Sequence, residues 1–344
     1  MSDFTVIVTE PIHPDGIVHL KKAGIKVLEL PPSSDEAALM KTLAKADALI
    51  TRGGIKVTRE MMEASPRLRA VGVHGVGCDH VDLRAAEELG KMVFNTPSAL
   101  TDTVAEMTMA LVLAMMRRVV SADKAVRAGQ WKRKYSDLVG SELSGKTVGI
   151  IGLGRIGTAV ARRLKPFETE IIYFDAIGRP EVEAELGLKR VELDDLLRRS
   201  DVITLHIPFT PQTRHLISKR ELNIMKDGAL LVNTARGRII DQPALIDALR
   251  TGKVAGAALD VFEEEPLDPS NPLAAMDNVI LTPHLGASSR EAMRRMAVQV
   301  AQGVIDVSKN RTPENVVVPA RETSTGGQAL KLFKASRKLK MGKT

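Results

Sequence analysis

Three residues in the second half of the chain have the types and places that a carbonyl–carbinol reaction needs. Arg236 stands in VNTARG, Glu265 in LDVFEEEP and His284 in TPHLGAS. Each follows an apolar run that reads as a buried strand: Ala229 to Thr234, Ala255 to Val261, and Val279 to Thr282. Arginine offers a carboxylate a planar, two-pronged donor that lysine cannot. Histidine titrates near neutrality, so it can both give and take a proton. A glutamate against the imidazole would fix its tautomer and stabilise its charged form. Together they suit hydride transfer between a 2-hydroxy acid and a nicotinamide. Plainer readings stand beside this one. Arg236 could cap a surface turn, and Glu265 is one of three adjacent glutamates that could simply be solvated.

The dinucleotide has a signal of its own. Val148-Gly149-Ile150-Ile151 has the branching of a strand buried on both faces, and G-x-G-x-x-G follows it at Gly152, Gly154 and Gly157. The first glycine permits a tight turn, the second lets a pyrophosphate approach, and the third brings the next helix close. That helix is expected over Thr158 to Leu164, its free N–H groups aimed at the pyrophosphate. A second strand, Ile171 to Phe174, ends in Asp175, 18 residues past Gly157. A carboxylate there would accept the ribose hydroxyls and repel a 2′-phosphate, so NAD is expected rather than NADP, with Arg179 close enough to soften the preference.

These residues need a scaffold, and the chain is long enough, at 344 residues, to build two domains. Aromatics make up only 3%, so the core must come from Val, Ile, Leu, Ala and Met. The one cysteine, Cys78, excludes an intramolecular disulfide and fits a reducing cytoplasm. The N-terminus lacks the charge and apolar pattern of a signal peptide, and the longest apolar run, Met109 to Met116, is too short to span a bilayer. No membrane is expected. The histidines (His13, His19, His74, His80, His206, His215, His284) show no metal-ligand spacing, so no metal is expected either. The net charge of +7 is largely terminal: residues 321–344 carry seven basic side chains against Glu322, a net of +6. That leaves +1 for the rest, which speaks against a folded face for nucleic acid.

Strand and helix patterns alternate along the whole chain. In the first part, strands are expected at Thr5 to Val8, Lys26 to Leu28, Ala48 to Thr51, Ala70 to Val73 and Met92 to Phe94, with helices at Ile17 to Ala23 and Glu36 to Ala44. Ser33-Ser34-Asp35 supplies cap candidates for the second helix. Thr101 to Arg118 reads as one helix, too apolar for a surface, whose interior acid Glu106 needs a partner. After Gly157 come a strand at Val202 to Ile207, a helix at Pro243 to Leu249, and a last long helix over 288–310 that should cross back to the first domain. The fold class is α/β: a flavodoxin-like substrate domain and a Rossmann NAD domain, each a doubly wound parallel sheet, with a cleft between them. The boundaries are 1–98 plus 289–320, then 99–288, and 321–344 is a basic flexible tail whose Leu332, Ala335 and Leu339 could line one helical face.

Over roughly residues 1–320 the chain resembles the D-isomer-specific 2-hydroxyacid dehydrogenases, through GKTVGIIGLGRIG, LHIPFTPQTRHLI, LLVNTARGRIIDQPALIDALRTGKVAGAALDVFEEEPL and LTPHLGASSREA. The resemblance implies that Arg236 orients substrate, that Glu265 pairs with the histidine and that His284 is the acid–base. It implies that Asp260 holds the nicotinamide carboxamide and that Arg155, Ile156, Asp175, His206, Pro208, Thr234, Gly286 and Ala287 line the dinucleotide. It places a substrate loop at Gly75-Val76-Gly77, where backbone N–H groups meet the carboxylate, leaves Arg52 for the substrate's far end, and implies a homodimer formed around the helix near residues 101–118. Within the family the chain looks most like D-3-phosphoglycerate dehydrogenases. It departs from them at Gly53-Gly54, Val73-His74 and His80, and it ends without the regulatory domain of longer relatives. Hydroxypyruvate or glyoxylate reduction is the alternative activity. A nucleotide-sensing, corepressor-like binding protein is the alternative from another class.

Overall fold

Apolar runs of four or five residues, buried on both faces, make the middle strands of two sheets. In the computed structural model, which describes residues 4–30 and 36–320, the chain opens with β1 (Thr5–Val8), α1 (Pro14–Lys22), β2 (Lys26–Glu29), α2 (Glu36–Leu43), β3 (Ala48–Thr51), α3 (Arg59–Glu63), β4 (Ala70–Val73), α4 (Leu83–Glu88) and β5 (Met92–Phe94). It continues with α5 (Thr101–Met116), α6 (Val119–Arg127), β6 (Thr147–Ile151), α7 (Arg155–Leu164), β7 (Glu170–Phe174), α8 (Pro180–Leu186), β8 (Lys189–Arg190), α9 (Leu193–Arg199), β9 (Val202–Leu205), α10 (Lys219–Ile224), β10 (Ala229–Asn233), α11 (Gln242–Arg250), β11 (Val254–Leu259) and β12 (Val279–Leu281). The long α12 (Arg290–Ser308) and β13 (Val316–Val318) close it. Among the described residues, one compact unit takes those up to Ala99 and from Met293, and the other is Leu100–Ala292. The cap candidates Ser33-Ser34-Asp35 and the basic stretch 321–344 lie outside the described residues. No helix among the described residues is long and apolar enough to cross a membrane.

The first unit holds a sheet of order β13-β5-β4-β3-β1-β2. Its strands are parallel except β13, which runs antiparallel to β5. The expected parallel sheet is present, and β13 adds an antiparallel edge strand that the sequence reading did not include. The helix before β13 is not a crossover from a strand of the same sheet, so nothing dictates a parallel return. The later turns of α12 cover this sheet, with Val300, Ala301 and Val304 packed among Val6, Ile50 and Phe94. Contact there is close. A Cβ at Gly303 would lie 2.2 Å from the Phe94 ring, and one at Gly16 would lie 2.7 Å from the Ala297 carbonyl oxygen.

The second unit holds a parallel sheet of order β12-β11-β10-β9-β6-β7-β8. The strand order reverses between β6 and β9, which neighbour each other although the two intervening strands, β7 and β8, lie on the far side of β6. Ligands of open parallel sheets bind beyond the strand ends at such a reversal. One face is covered by α5 and α7, whose Met109, Val112, Val160 and Leu164 pack on Val148 and Ile150. The burial expected of α5 is therefore met within this unit. Its Glu106 is not interior, however: the side chain is 68% exposed and pairs with Arg163 at 3.3 Å. The helix also ends earlier than expected, because Arg118 takes a left-handed conformation (φ 55°) and redirects the chain into α6.

Candidate active site

The glycine-rich turn sits at the strand reversal of the second unit. Gly152 has φ 97°, and a Cβ there would come 2.7 Å from the His206 carbonyl oxygen. A Cβ on Gly157 would come 2.0 Å from the Gly152 oxygen, so only glycine lets α7 seat against the turn. Gly154 differs: a Cβ there would meet nothing within 4 Å. The turn leaves room at that point, and α7 starts directly after it with no side-chain cap. The helix begins three residues before the expected Thr158, which puts Arg155, Ile156 and Gly157 in its first turn, where N–H groups lack helical acceptors. Open space before an uncapped helix end fits a pyrophosphate.

Asp175 follows β7 and already works within the turn. Its Oδ2 accepts the Leu153 N–H at 2.7 Å and its Oδ1 the Ile177 N–H at 3.0 Å. Each oxygen keeps a further acceptor site for a hydroxyl. Arg190 Nη2 donates to the Asp175 carbonyl at 2.8 Å and fixes the strand end. His206, after β9, hydrogen-bonds Thr204 through Nε2 at 3.0 Å, and burial pushes its imidazole down to about 3. It stays neutral at physiological pH. The Pro208 carbonyl accepts the Thr213 hydroxyl at 2.8 Å, and Thr234 Oγ1 meets Thr108 Oγ1 of α5 at 2.9 Å.

The expected contact between His284 and Glu265 is formed. His284 Nδ1 lies 2.7 Å from Glu265 Oε2, while Glu265 Oε1 accepts the Phe262 N–H at 3.0 Å. Burial alone would raise the Glu265 carboxyl, but the hydrogen bond and charge of His284, the Phe262 amide and the Arg236 charge outweigh it and hold the group below its ordinary value. The Glu265 hydrogen bond raises the His284 imidazole above its ordinary value against the pull of burial. Arg236 lies near enough for its charge to lower His284 in turn. The arginine follows β10, its Nη1 donating to the Ala235 carbonyl at 2.6 Å and its own carbonyl accepting Asn233 Nδ2 at 2.9 Å.

Asp260 holds the turn on which His284 sits. Its carboxylate, 1% exposed, accepts the Thr282 hydroxyl at 2.6 Å and the Leu285 and Gly286 N–H groups at 2.7 Å each. Its backbone oxygen accepts the His284 N–H at 2.9 Å. The turn places His284 at φ 52°, a conformation uncommon for residues other than glycine, and Asp260 supplies the bonds that keep it there. Ala287 follows, its carbonyl accepting the Ser289 N–H at 3.1 Å.

The remaining candidates, Arg52 and Gly75-Val76-Gly77, lie in the first unit at the C-terminal ends of β3 and β4. Arg52 Nη1 donates to the Pro11 carbonyl at 2.6 Å, and its backbone N–H donates to Glu10 Oε2 at 2.9 Å. Glu10 Oε1 also takes the Gly54 N–H at 2.7 Å. The Gly75 N–H is occupied as well, by Thr96 Oγ1 at 3.0 Å and the Val73 carbonyl at 2.9 Å, so Val76 and Gly77 remain as amide donors of that loop. Beside them His74 is buried, and desolvation followed by the Arg52 charge pushes it down to about 4. Nothing in the spacing of VHGVG announced that neutral histidine. Sequence reading also missed the contact of His215 Nε2 with Glu263 Oε1 at 2.7 Å, since no motif links residues so far apart.

A family model described as D-isomer specific 2-hydroxyacid dehydrogenase, NAD binding domain, matches residues 109–286. The chain is 43% identical over 319 residues to a glyoxylate reductase of Thermofilum pendens, across 91% of this chain and 94% of that one. It is 44% identical over 313 residues to a D-3-phosphoglycerate dehydrogenase of Methanocaldococcus jannaschii, across 91% of this chain but only 59% of that longer one. Among solved structures, a D-lactate dehydrogenase from Aquifex aeolicus complexed with NAD and lactic acid is similar at a TM-score of 0.81 and 30% identity, over 91% of this chain and 99% of the other.

Proposed function

The chain belongs to the D-isomer specific 2-hydroxyacid dehydrogenase family, and from that premise we propose that it reduces a small, unphosphorylated 2-keto acid of the glyoxylate or hydroxypyruvate type with NADH. The observation that carries the reading is the His284–Glu265 contact at 2.7 Å. With Nδ1 committed to the carboxylate, Nε2 is the nitrogen left to exchange a proton with substrate. The nicotinamide, when bound, supplies the hydride that goes to the carbonyl carbon. His284 gives the Nε2 proton to the carbonyl oxygen, and Glu265 stabilises the imidazolium beforehand. Arg236 binds the substrate carboxylate and turns the carbonyl toward His284. Gly152, Gly154 and the first turn of α7 would hold the pyrophosphate and Asp175 the ribose, while Asp260 holds the turn that carries His284.

The choice of substrate rests on the first unit. The Arg52 guanidinium is engaged by the Pro11 carbonyl, a Glu10 carboxylate lies against the same turn, and His74 is neutral. That setting supplies one cation beside an acid, a poor match for a phosphate dianion. The end-to-end likeness to a glyoxylate reductase supports the same choice. Oxidation of 3-phosphoglycerate is the second reading, supported by the 44% identity to a phosphoglycerate dehydrogenase and by Arg52 itself. A panel of glyoxylate, hydroxypyruvate, pyruvate and 3-phosphohydroxypyruvate assayed with NADH separates them. We expect the highest kcat/KM for one of the first two, and a preference for the phosphorylated acid would replace the first reading with the second.

A homodimer belongs to the same proposal. The apolar side chains of Val119, Val126, Trp131, Tyr135 and Val139 are exposed along one continuous stretch of the second unit, with Trp131 63% and Tyr135 78% exposed. Aromatic surface gathered in this way supports a protein interface. The stretch follows α5 rather than lying on it.

A further inference from the structure

Three loops from consecutive strands of the second sheet join one another. One runs from β9 toward α10 and carries His215, one follows β10 and carries Arg238, and one follows β11 and carries Glu263. The His215 N–H donates to the Arg238 carbonyl at 3.0 Å. Arg238 Nε donates to the Glu263 carbonyl at 3.3 Å. His215 Nε2 meets Glu263 Oε1 at 2.7 Å, which closes the ring. The fit inside it is tight, since a Cβ on Gly237 would lie 1.8 Å from the Phe262 carbonyl carbon. His215 itself has φ 50°, a left-handed conformation that these bonds must hold.

The ring adjoins three candidate segments along the chain without containing a candidate residue. Arg236 is the residue before Gly237, and Glu265 lies two residues beyond Glu263. The His215 loop begins at the dinucleotide candidates His206 and Pro208. Glu263 Oε1 also accepts the Gln242 N–H at the start of α11 at 3.3 Å, which anchors the carboxylate from a second side. We infer that the His215–Glu263 pair is a positioning device: by fixing Glu263 it sets the arc of Phe262 to Glu265, and so seats Glu265 on His284. This rests on the reading of His284 as the acid–base group. Neither residue of the pair meets the reacting atoms. A small error in the seat of Glu265 weakens its hold on the imidazolium, and misplacement of a catalytic group by about 1 Å can cost on the order of 10²-fold.

The test uses the full chain with His215→Ala, Glu263→Ala and the double variant, reading kcat, KM for NADH and the pH profile of keto-acid reduction. Reduction consumes protonated His284, so activity falls as pH rises through its pKa. A loosened Glu265 lowers that pKa, and the alkaline limb should move to lower pH in both single variants. We expect kcat to fall about tenfold with KM for NADH changed less than about twofold. The double variant should lose no more than the worse single one, because both substitutions cut the same link. A plain structural staple predicts something else: lower thermal stability with the limb unmoved and losses that add. That result overturns the inference. Should His215→Ala fail to fold, Glu263→Ala alone decides by the same limb. A parent that turns over no 2-keto acid with NADH would sink the reading of the site, whereas an active parent with unmoved limbs in the variants would sink only the positioning role.

Discussion

An imidazole that must carry its proton near neutrality needs an anion on the nitrogen it does not use, and Glu265 stands there. His284→Ala should therefore cost on the order of 10²–10⁴-fold in kcat for reduction and oxidation alike, as loss of positioned acid–base catalysis does; a loss under about tenfold would move the acid–base role elsewhere. Arg236→Lys removes a two-pronged contact to a charged group, worth about 1.5–3 kcal/mol, so kcat/KM for the keto acid should fall about 10- to 100-fold. The proposal assigns cofactor choice to Asp175. NADH should give the higher kcat/KM in the parent, and Asp175→Ser should narrow the gap to NADPH while weakening NADH, since the Leu153 and Ile177 amides also lose their acceptor. A parent that prefers NADPH would contradict this. The candidate residues could be picked out in the sequence because each follows an apolar strand, where ligand sites collect in parallel sheets. The supporting bonds were not. Asp260 accepting from Thr282, Leu285 and Gly286 depends on how two loops meet, and no local pattern encodes that.

Among the elements, the second and third glycines of the turn make opposite demands. Gly157→Ala would press a methyl into the Gly152 oxygen, now 2.0 Å from the ideal Cβ position. Overpacking of that kind costs about 1–3 kcal/mol, so Tm and NADH affinity should fall together. Gly154→Ala has open space instead, and should leave Tm near the parent while weakening NADH, because the methyl enters the room reserved for the pyrophosphate. Equal Tm losses in both variants would mean that Gly154 is structural after all. Strands were read well from sequence because buried parallel strands are continuous apolar runs. Elements without that signature escaped. β13 is three valines with no period to give their direction, and the break between α5 and α6 depends on a left-handed Arg118 that propensity does not foretell.

At the scale of the molecule, the prediction concerns copies and ends. Trp131→Asp combined with Tyr135→Asp should convert a dimer to a monomer in sedimentation, because two charges would replace exposed aromatic surface. An unchanged sedimentation coefficient would put the interface elsewhere or remove it. Deleting 321–344 takes away a net charge of +6 and no candidate site residue, so kcat should stay within about twofold of the parent. A large loss of kcat would give the segment a part in catalysis. The two-sheet plan was visible in the alternation of strands and helices, and the order of the second sheet follows from its connections. Apolar composition told less about α5. It implied burial but not by what, and α7 with its own sheet proves sufficient.

The most direct test of the central claim is the pH profile of kcat/KM for keto-acid reduction in the parent and in Glu265→Gln. The glutamate's hydrogen bond and charge raise the His284 pKa, and glutamine keeps the shape but not the charge. Reduction needs the protonated imidazole, so the alkaline limb should shift to lower pH in the variant, while oxidation, which needs the neutral form, should hold or gain on the acid side. An alkaline limb that does not move would contradict the account, and would leave the Glu265 contact without a part in setting the protonation of His284.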